Sequence, residues 1–166
     1  FSMKPAGSVH SPLRGSIAEP LSRKPRLPAL FLPHASRGFV NAEDGEVLLR
    51  SVFVPIDHSP SPYPAVSLAL ALADRLEAKE TVFHLLHVGP ARPSIHVEAR
   101  HEPRLRHLQR EGSVVDTIID TAAELDADLI VMATQVHEGF LDAFRGSTTE
   151  QVLRRAGRAL LAVPAA

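Results

Sequence analysis

Apolar positions along this 166-residue chain fall into short runs that alternate with helical repeats. LLRSVFVPI (48–56) is rich in branched residues, stops at Asp57, and reads as a strand. Leu68, Leu72 and Leu76 then recur every four residues with Ala69 and Ala73 beside them, which predicts a helix over 65–78. TVFHLLHV (81–88) predicts a second strand, and residues 104–110 a shorter one. Ser113, with Asp116 three residues on, opens a helix to about Leu125 whose core face is Val115, Ile118, Ile119 and Ala122. ADLIVMA (127–133) is apolar at successive positions, as in a central strand of a parallel sheet buried on both faces. A loop over 135–145 leads to a helix from Ser147 to about Ala156 and a last strand over 159–163.

Strands alternating with helices imply right-handed βαβ units, hence an α/β domain with a parallel sheet and helices on both faces. Ligands of such sheets sit beyond the carboxyl ends of the strands, where the strand order switches. Three strand ends therefore matter: Asp57-His58, His87-Val88-Gly89, and the stretch from Ala133 to Ser147.

Residues 1–46 follow a different pattern. Six of the 14 prolines precede residue 34, which excludes a long helix there. Pro28 and Pro33 bound a short apolar run, ALFL (29–32), that suits an edge strand, and residues 34–46 read as a turn-rich linker. The compact domain occupies 47–166. RGSIAEPLSRKPRLPALFLP (14–33) aligns without gaps on RGSTTEQVLRRAGRALLAVP (145–164), with seven of 20 residues identical. Repeated sequence is the signature of a repeated structural unit. The alternative is a Pro-rich tail that happens to match.

Composition narrows the class. With 45% hydrophobic residues and a net charge of −1, the chain is globular, and no basic run suits nucleic acid. The longest apolar stretch, Leu68–Ala73, is far too short to span a bilayer. The absence of cysteine excludes disulfides, thiol catalysis and Cys-ligated zinc, and fits a reducing compartment. A cytoplasmic protein is the expectation.

VPIDHS after the first strand, LLHV ending the second, ADLIVMAT and GSTTEQVLRR together resemble a universal stress protein domain over residues 48–164. The resemblance implies a five-stranded parallel sheet of Rossmann-like, adenine nucleotide alpha hydrolase-like type. It implies pairing of domains through the last strand, 159–163, as a homodimer or as a pseudo-dimer of tandem repeats. It also implies a binding or signalling role in the stress response, without a defined catalytic reaction. On this reading residues 14–33 are the last helix and strand of a preceding repeat, and Ala29–Leu32 should lie antiparallel against Leu160–Val163.

One branch of the family binds ATP through a loop G-x2-G-x9-G-[ST]; another does not. Those places fall here at Ala133, Val136, Gly146 and Ser147, so two of the three glycines are replaced, although the loop keeps Gly139. A valine forced to positive φ costs roughly 1–2 kcal/mol, and the Ala133 methyl occupies space a phosphate would use. Gly146-Ser147 survives, and Ser147 with Glu150 forms a capping box at a helix start that attracts anions. The same pair would also simply begin a helix. The resemblance places the adenosine part near Pro55, Ile56 and Asp57, the base beside Val88, and the phosphates, with Mg²⁺, near Ser147 and Thr148. Asp57 alternatively caps its own loop.

Nine histidines raise a metal hypothesis, with His58, His87 and His137 all at carboxyl strand ends. His84 should pack against a helix, and His96, His101 and His107 should be solvated. Asp57, His58 and His137 could at most support slow nucleotide hydrolysis. Three readings stay open: a nucleotide-binding signalling module, a ligand-free dimeric interaction module, and a His-lined metal site.

Overall fold

The computed structural model describes residues 27–34, 36, 38–135 and 146–165. Six strands form one sheet: β1 (Ala29–Phe31), β2 (Ser51–Pro55), β3 (Val82–Val88), β4 (Leu105–Arg110), β5 (Leu129–Gln135) and β6 (Ala159–Ala165). Their order is β1-β6-β5-β2-β3-β4. β2 to β6 run parallel, as the alternation of elements requires. β1 adds a sixth, antiparallel strand at the β6 edge, with Ala29 opposite Ala162, Leu30 opposite Leu161 and Phe31 opposite Leu160. The pairing anticipated for residues 29–32 is thus present, and the sheet is mixed rather than purely parallel.

Among the described residues the helices are α1 (Tyr63–Arg75), α2 (Val114–Glu124) and α3 (Thr148–Ala156). Alternate side chains of each strand point to opposite faces, so each inner strand feeds two cores. On one face Val52, Val54, Leu85 and Val131 pack under Ala65, Ala69 and Ala73 of α1, whose small side chains let the helix approach closely. On the other, Phe53, Leu86, Ile130 and Leu160 pack under Ile118 and Ala122 of α2 and Val152 of α3. No helix among the described residues is long and apolar enough to cross a membrane.

α1 stops three residues before the expected Ala78, and α2 close to the expected Leu125, each for a backbone reason. At the end of α1, Glu77 takes φ +54° and the Ala78 amide donates to the Ala73 carbonyl at 2.9 Å. Asp126 does the same after α2, at φ +45°, with the Ala127 amide donating to Ala122 at 3.0 Å. Both are Schellman closures that turn the chain straight into the next strand, made here without glycine. The start of α2 also differs from expectation. Ser113 occupies the N-cap position but its side chain makes no cap bond to the helix. Instead its hydroxyl, followed by Arg155 at 2.6 Å, holds the Asp116 carboxyl below the usual carboxylate range.

Two side chains fix the amino ends of the strands. Asp128 is 7% exposed, and its carboxylate accepts from the Arg50 and Ser51 amides at 2.8 and 2.9 Å, locking β5 to β2. Arg104 lies over Phe83, 5.0 Å from its ring centre, and donates to the carbonyls of Thr81 and Ala78. The stretch before β2 also reaches the core: Phe39 is buried and Val40 bridges Val47.

Candidate functional site

From β2 the chain moves outward to β3 and β4, then returns to the other side of β2 with β5 and β6. The switch in direction lies between β2 and β5, and the carboxyl ends of strands at such a switch are where a ligand crevice is expected. A cavity of about 120 Å³ lies there. Its wall includes Pro55, Ile56 and Asp57 after β2, Val88 of β3, Ala133 of β5 and Thr148 at the start of α3. These six were singled out in the sequence, and the fold brings them together. Gly146 and Ser147 lead directly into Thr148, whereas Val136 and Gly139 fall outside the described residues.

The cavity also has apolar walls that the sequence did not mark as site residues: Leu86, Met132, Val114 and Ile118. Leu86 and Met132 look like ordinary core positions. Val114 was the readable signal. It is 46% exposed and sits four residues before Ile118, so the first turn of α2 turns an apolar edge toward the opening.

Polar groups stand at the rim. Asp57 is exposed, and its carboxylate accepts from the His58 amide at 2.7 Å, the loop-capping role weighed for it. Gln135 donates to the Ser59 hydroxyl at 3.3 Å, linking the end of β5 to the loop after β2. At the amino end of α3, the Ser147 hydroxyl accepts from the Glu150 amide at 3.1 Å. The Glu150 carboxylate reaches past the cap residue and accepts from the Gly146 amide, while pairing with Arg154 at 2.8 Å. The capping box is therefore displaced by one residue from its usual reciprocal form. Gly146 is at φ +72°, a conformation that suits glycine and carries the loop into the helix.

The histidines divide. His87 is buried, its Nδ1 3.2 Å from the Ile56 carbonyl and 3.9 Å from Asp57. His58 places Nε2 2.7 Å from the Ala91 carbonyl, and the two rings meet edge to face at 5.9 Å. Both rings thus have backbone partners, and among the described residues no three potential ligands cluster as a metal site. His137 lies outside the described residues. His96 and His107 are exposed, as expected. His101 is not: it is buried with Nε2 3.6 Å from Asp74, because the segment before β4 folds back onto α1. His84 is half-buried on the α2 side of the sheet, and burial, then Arg106, holds its pKa below the usual imidazole value.

Residues 93–164 match the model of the universal stress protein family. Over this stretch the chain is similar to that family. Solved structures of low sequence identity share the fold. A universal stress protein from Archaeoglobus fulgidus DSM 4304 superposes with a TM-score of 0.66 at 20% identity, over 92% of this chain and 55% of that one. The universal stress protein UspA from Lactobacillus plantarum gives 0.51 at 21% identity, over 69% and 97%. A universal stress protein solved in complex with cAMP gives 0.51 at 19% identity, over 70% and 98%. The chain thus spans about half the length of the Archaeoglobus protein and nearly all of the other two. No curated protein matches the sequence.

Proposed function

We propose that this chain is a universal stress protein domain, a binding and signalling module whose ligand is an adenine nucleotide, held in the crevice between β2 and β5. The observation that carries this reading is the cavity itself. An apolar slot at the topological switch point, rimmed by Asp57 on one side and the amino end of α3 on the other, matches the three parts of a nucleotide. The planar base suits Val88, Leu86 and Ile118. Asp57 offers an exposed carboxylate of the kind that accepts ribose hydroxyls. The phosphate end points to Thr148 and the α3 dipole. The cAMP complex of a protein with this fold supports the assignment.

The phosphate end is the modified part. The Gly146 amide is engaged by the Glu150 carboxylate, and Ala133 presents a methyl group to the cavity. A phosphate has to compete with that carboxylate, so base and ribose supply most of the affinity. If ATP enters, Mg²⁺ arrives as the counter-ion of its phosphates rather than through a cluster of protein carboxylates. The role is recognition, with nucleotide hydrolysis at most slow. The test is displacement of a fluorescent ATP analogue by AMP and ATP from the intact chain and from Ala133→Leu, which fills the slot. Displacement at micromolar nucleotide, abolished in the variant, supports the reading. Failure of the analogue to bind at all would favour the ligand-free interaction module.

A further inference from the structure

We propose that a cleft between α1 and the connection from β3 to β4 is a second ligand site, for a small carboxylate carried on a compact apolar body. β3 and β4 are parallel, and a crossover between parallel strands is usually made by an α-helix. The other parallel crossovers here use α1, α2 and α3. Residues 89–104 instead form an irregular strap that ends in one 3₁₀ turn, Glu102–Arg104. The strap runs alongside α1. At one end the Tyr63 hydroxyl donates to the Ser94 carbonyl at 3.4 Å, and at the other His101 places Nε2 3.6 Å from Asp74. Between those two ties lies a cleft of about 440 Å³. That volume is in the range of small-molecule sites, about 300–1,000 Å³. The cleft shares no lining residue with the cavity between β2 and β5.

Its wall is apolar along the middle and cationic at one end. Val66 and Leu70 of α1, four residues apart on one helix face, line the middle with Val97 of the strap. At the carboxyl end of α1 the acids are already engaged. Asp74 meets Arg104 at 3.3 Å and Arg100 at 3.7 Å, and Glu98 meets Arg100 at 2.8 Å. Three guanidinium groups, of Arg75, Arg100 and Arg104, thus stand against two carboxylates, and the one left over is Arg75. It is exposed and makes no hydrogen bond or ion pair among the described residues. His96, on the strap side of the cleft, is likewise without a partner among them and offers a further donor. A guanidinium presents its N–H groups as a planar fork that matches a carboxylate through two parallel bonds. The apolar middle then holds the body attached to that carboxylate. A bare inorganic anion would leave the middle unused, and an uncharged apolar molecule would leave Arg75 unpaired. Both features together specify an anion with an apolar body.

The test is a titration of the isotope-labelled full-length chain with benzoate, read from its amide NMR spectrum, with benzyl alcohol as the uncharged control. Benzoate should shift amides of α1 and of residues 94–101 and saturate with a Kd of about 1 mM, a modest affinity for so small a ligand. Benzyl alcohol should bind at least about tenfold more weakly, the worth of one charge-assisted hydrogen bond. Arg75→Gln should weaken benzoate by about the same factor and leave benzyl alcohol unchanged. Ala71→Trp, at an exposed position on the cleft wall, should abolish the binding of both. Because residues 71 and 75 are exposed, amides elsewhere should keep their positions in both variants, which separates loss of the cleft from loss of the fold. Absence of saturable shifts at about 20 mM benzoate, well above the expected Kd, overturns the proposal. Saturation centred on Asp57, Val88 and Thr148 also overturns it, since that would place the anion in the nucleotide crevice. So does an affinity for benzoate that Arg75→Gln leaves unchanged.

Discussion

Asp128→Ala probes the joint on which the candidate site depends. The Asp128 carboxylate binds two consecutive amides, of Arg50 and Ser51, at 2.8 and 2.9 Å, and the residue is 7% exposed. It sits where β5 begins and fixes the register that sets Val52 opposite Leu129. Hydrogen bonds to a charged group each contribute about 1.5–3 kcal/mol. Alanine removes both and leaves two amides facing a partly buried gap, so the loss should be about 3 kcal/mol, from the lower end of that range. With a urea slope of about 2 kcal/mol per molar, the unfolding midpoint should fall by about 1.5 M. Asp128→Asn keeps one uncharged acceptor and should lose about half as much. Because β2 and β5 flank the crevice, nucleotide affinity should fall with stability in both variants. A midpoint for Asp128→Ala within about 0.3 M of the parent, on the same slope scale, would refute the reasoning.

Other predictions follow from single features. Glu77→Gly should raise stability by about 0.5 kcal/mol, since it relieves a left-handed residue at the end of α1 and gives back part of the gain as unfolded-state entropy; an unchanged or lowered urea midpoint would contradict the closure described. His84 has a buried Nδ1 without a hydrogen-bond partner among the described residues, so His84→Leu should stabilise the fold by about 1 kcal/mol. Burial, then Arg106, holds the folded pKa of His84 below its unfolded value of about 6.5, so the unfolded chain takes up the proton first as pH falls. Its contribution is intact above about 6.5 and is lost on acidification toward the lowered value. The melting temperature should therefore drop less between about pH 7.5 and about pH 5.5 in His84→Leu than in the parent, and equal drops would count against this. Gly146→Ala should cost about 1 kcal/mol in thermal or urea unfolding, since residue 146 sits at φ +72° with open space around it; no loss would mean the turn tolerates a side chain.

The parallel sheet was legible because its strands are buried on both faces. VFV (52–54) and LIVM (129–132) have no polar position to disguise them, and each is followed by a helix of clear period. β1 was legible as an edge strand from the apolar run between Pro28 and Pro33, but its antiparallel place against β6 only through the repeat and the resemblance. The rim of the site was readable from strand ends: Asp57, Val88 and Ala133 stand where the chain leaves the sheet. Its apolar lining was not, because Leu86 and Met132 differ from core residues only in what lies above them. The end of α1 was placed three residues late because Glu77 does the work that glycine usually signals, whereas the ends of α2 and α3 were read closely. His101 was misplaced because its burial depends on Asp74, on an element distant in sequence. Glu150 was recognised as part of a cap, but the sequence could not show its carboxylate resting on Gly146.

The central claim is that the crevice between β2 and β5 takes an adenine nucleotide, with most of the affinity coming from base and ribose. A calorimetric titration of the intact chain with adenosine, AMP and Mg-ATP tests it most directly. The account predicts micromolar binding by AMP, adenosine within about tenfold of it (about 1.4 kcal/mol), and loss of all three in Ala133→Leu. No heat with any of them at millimolar concentration would contradict it.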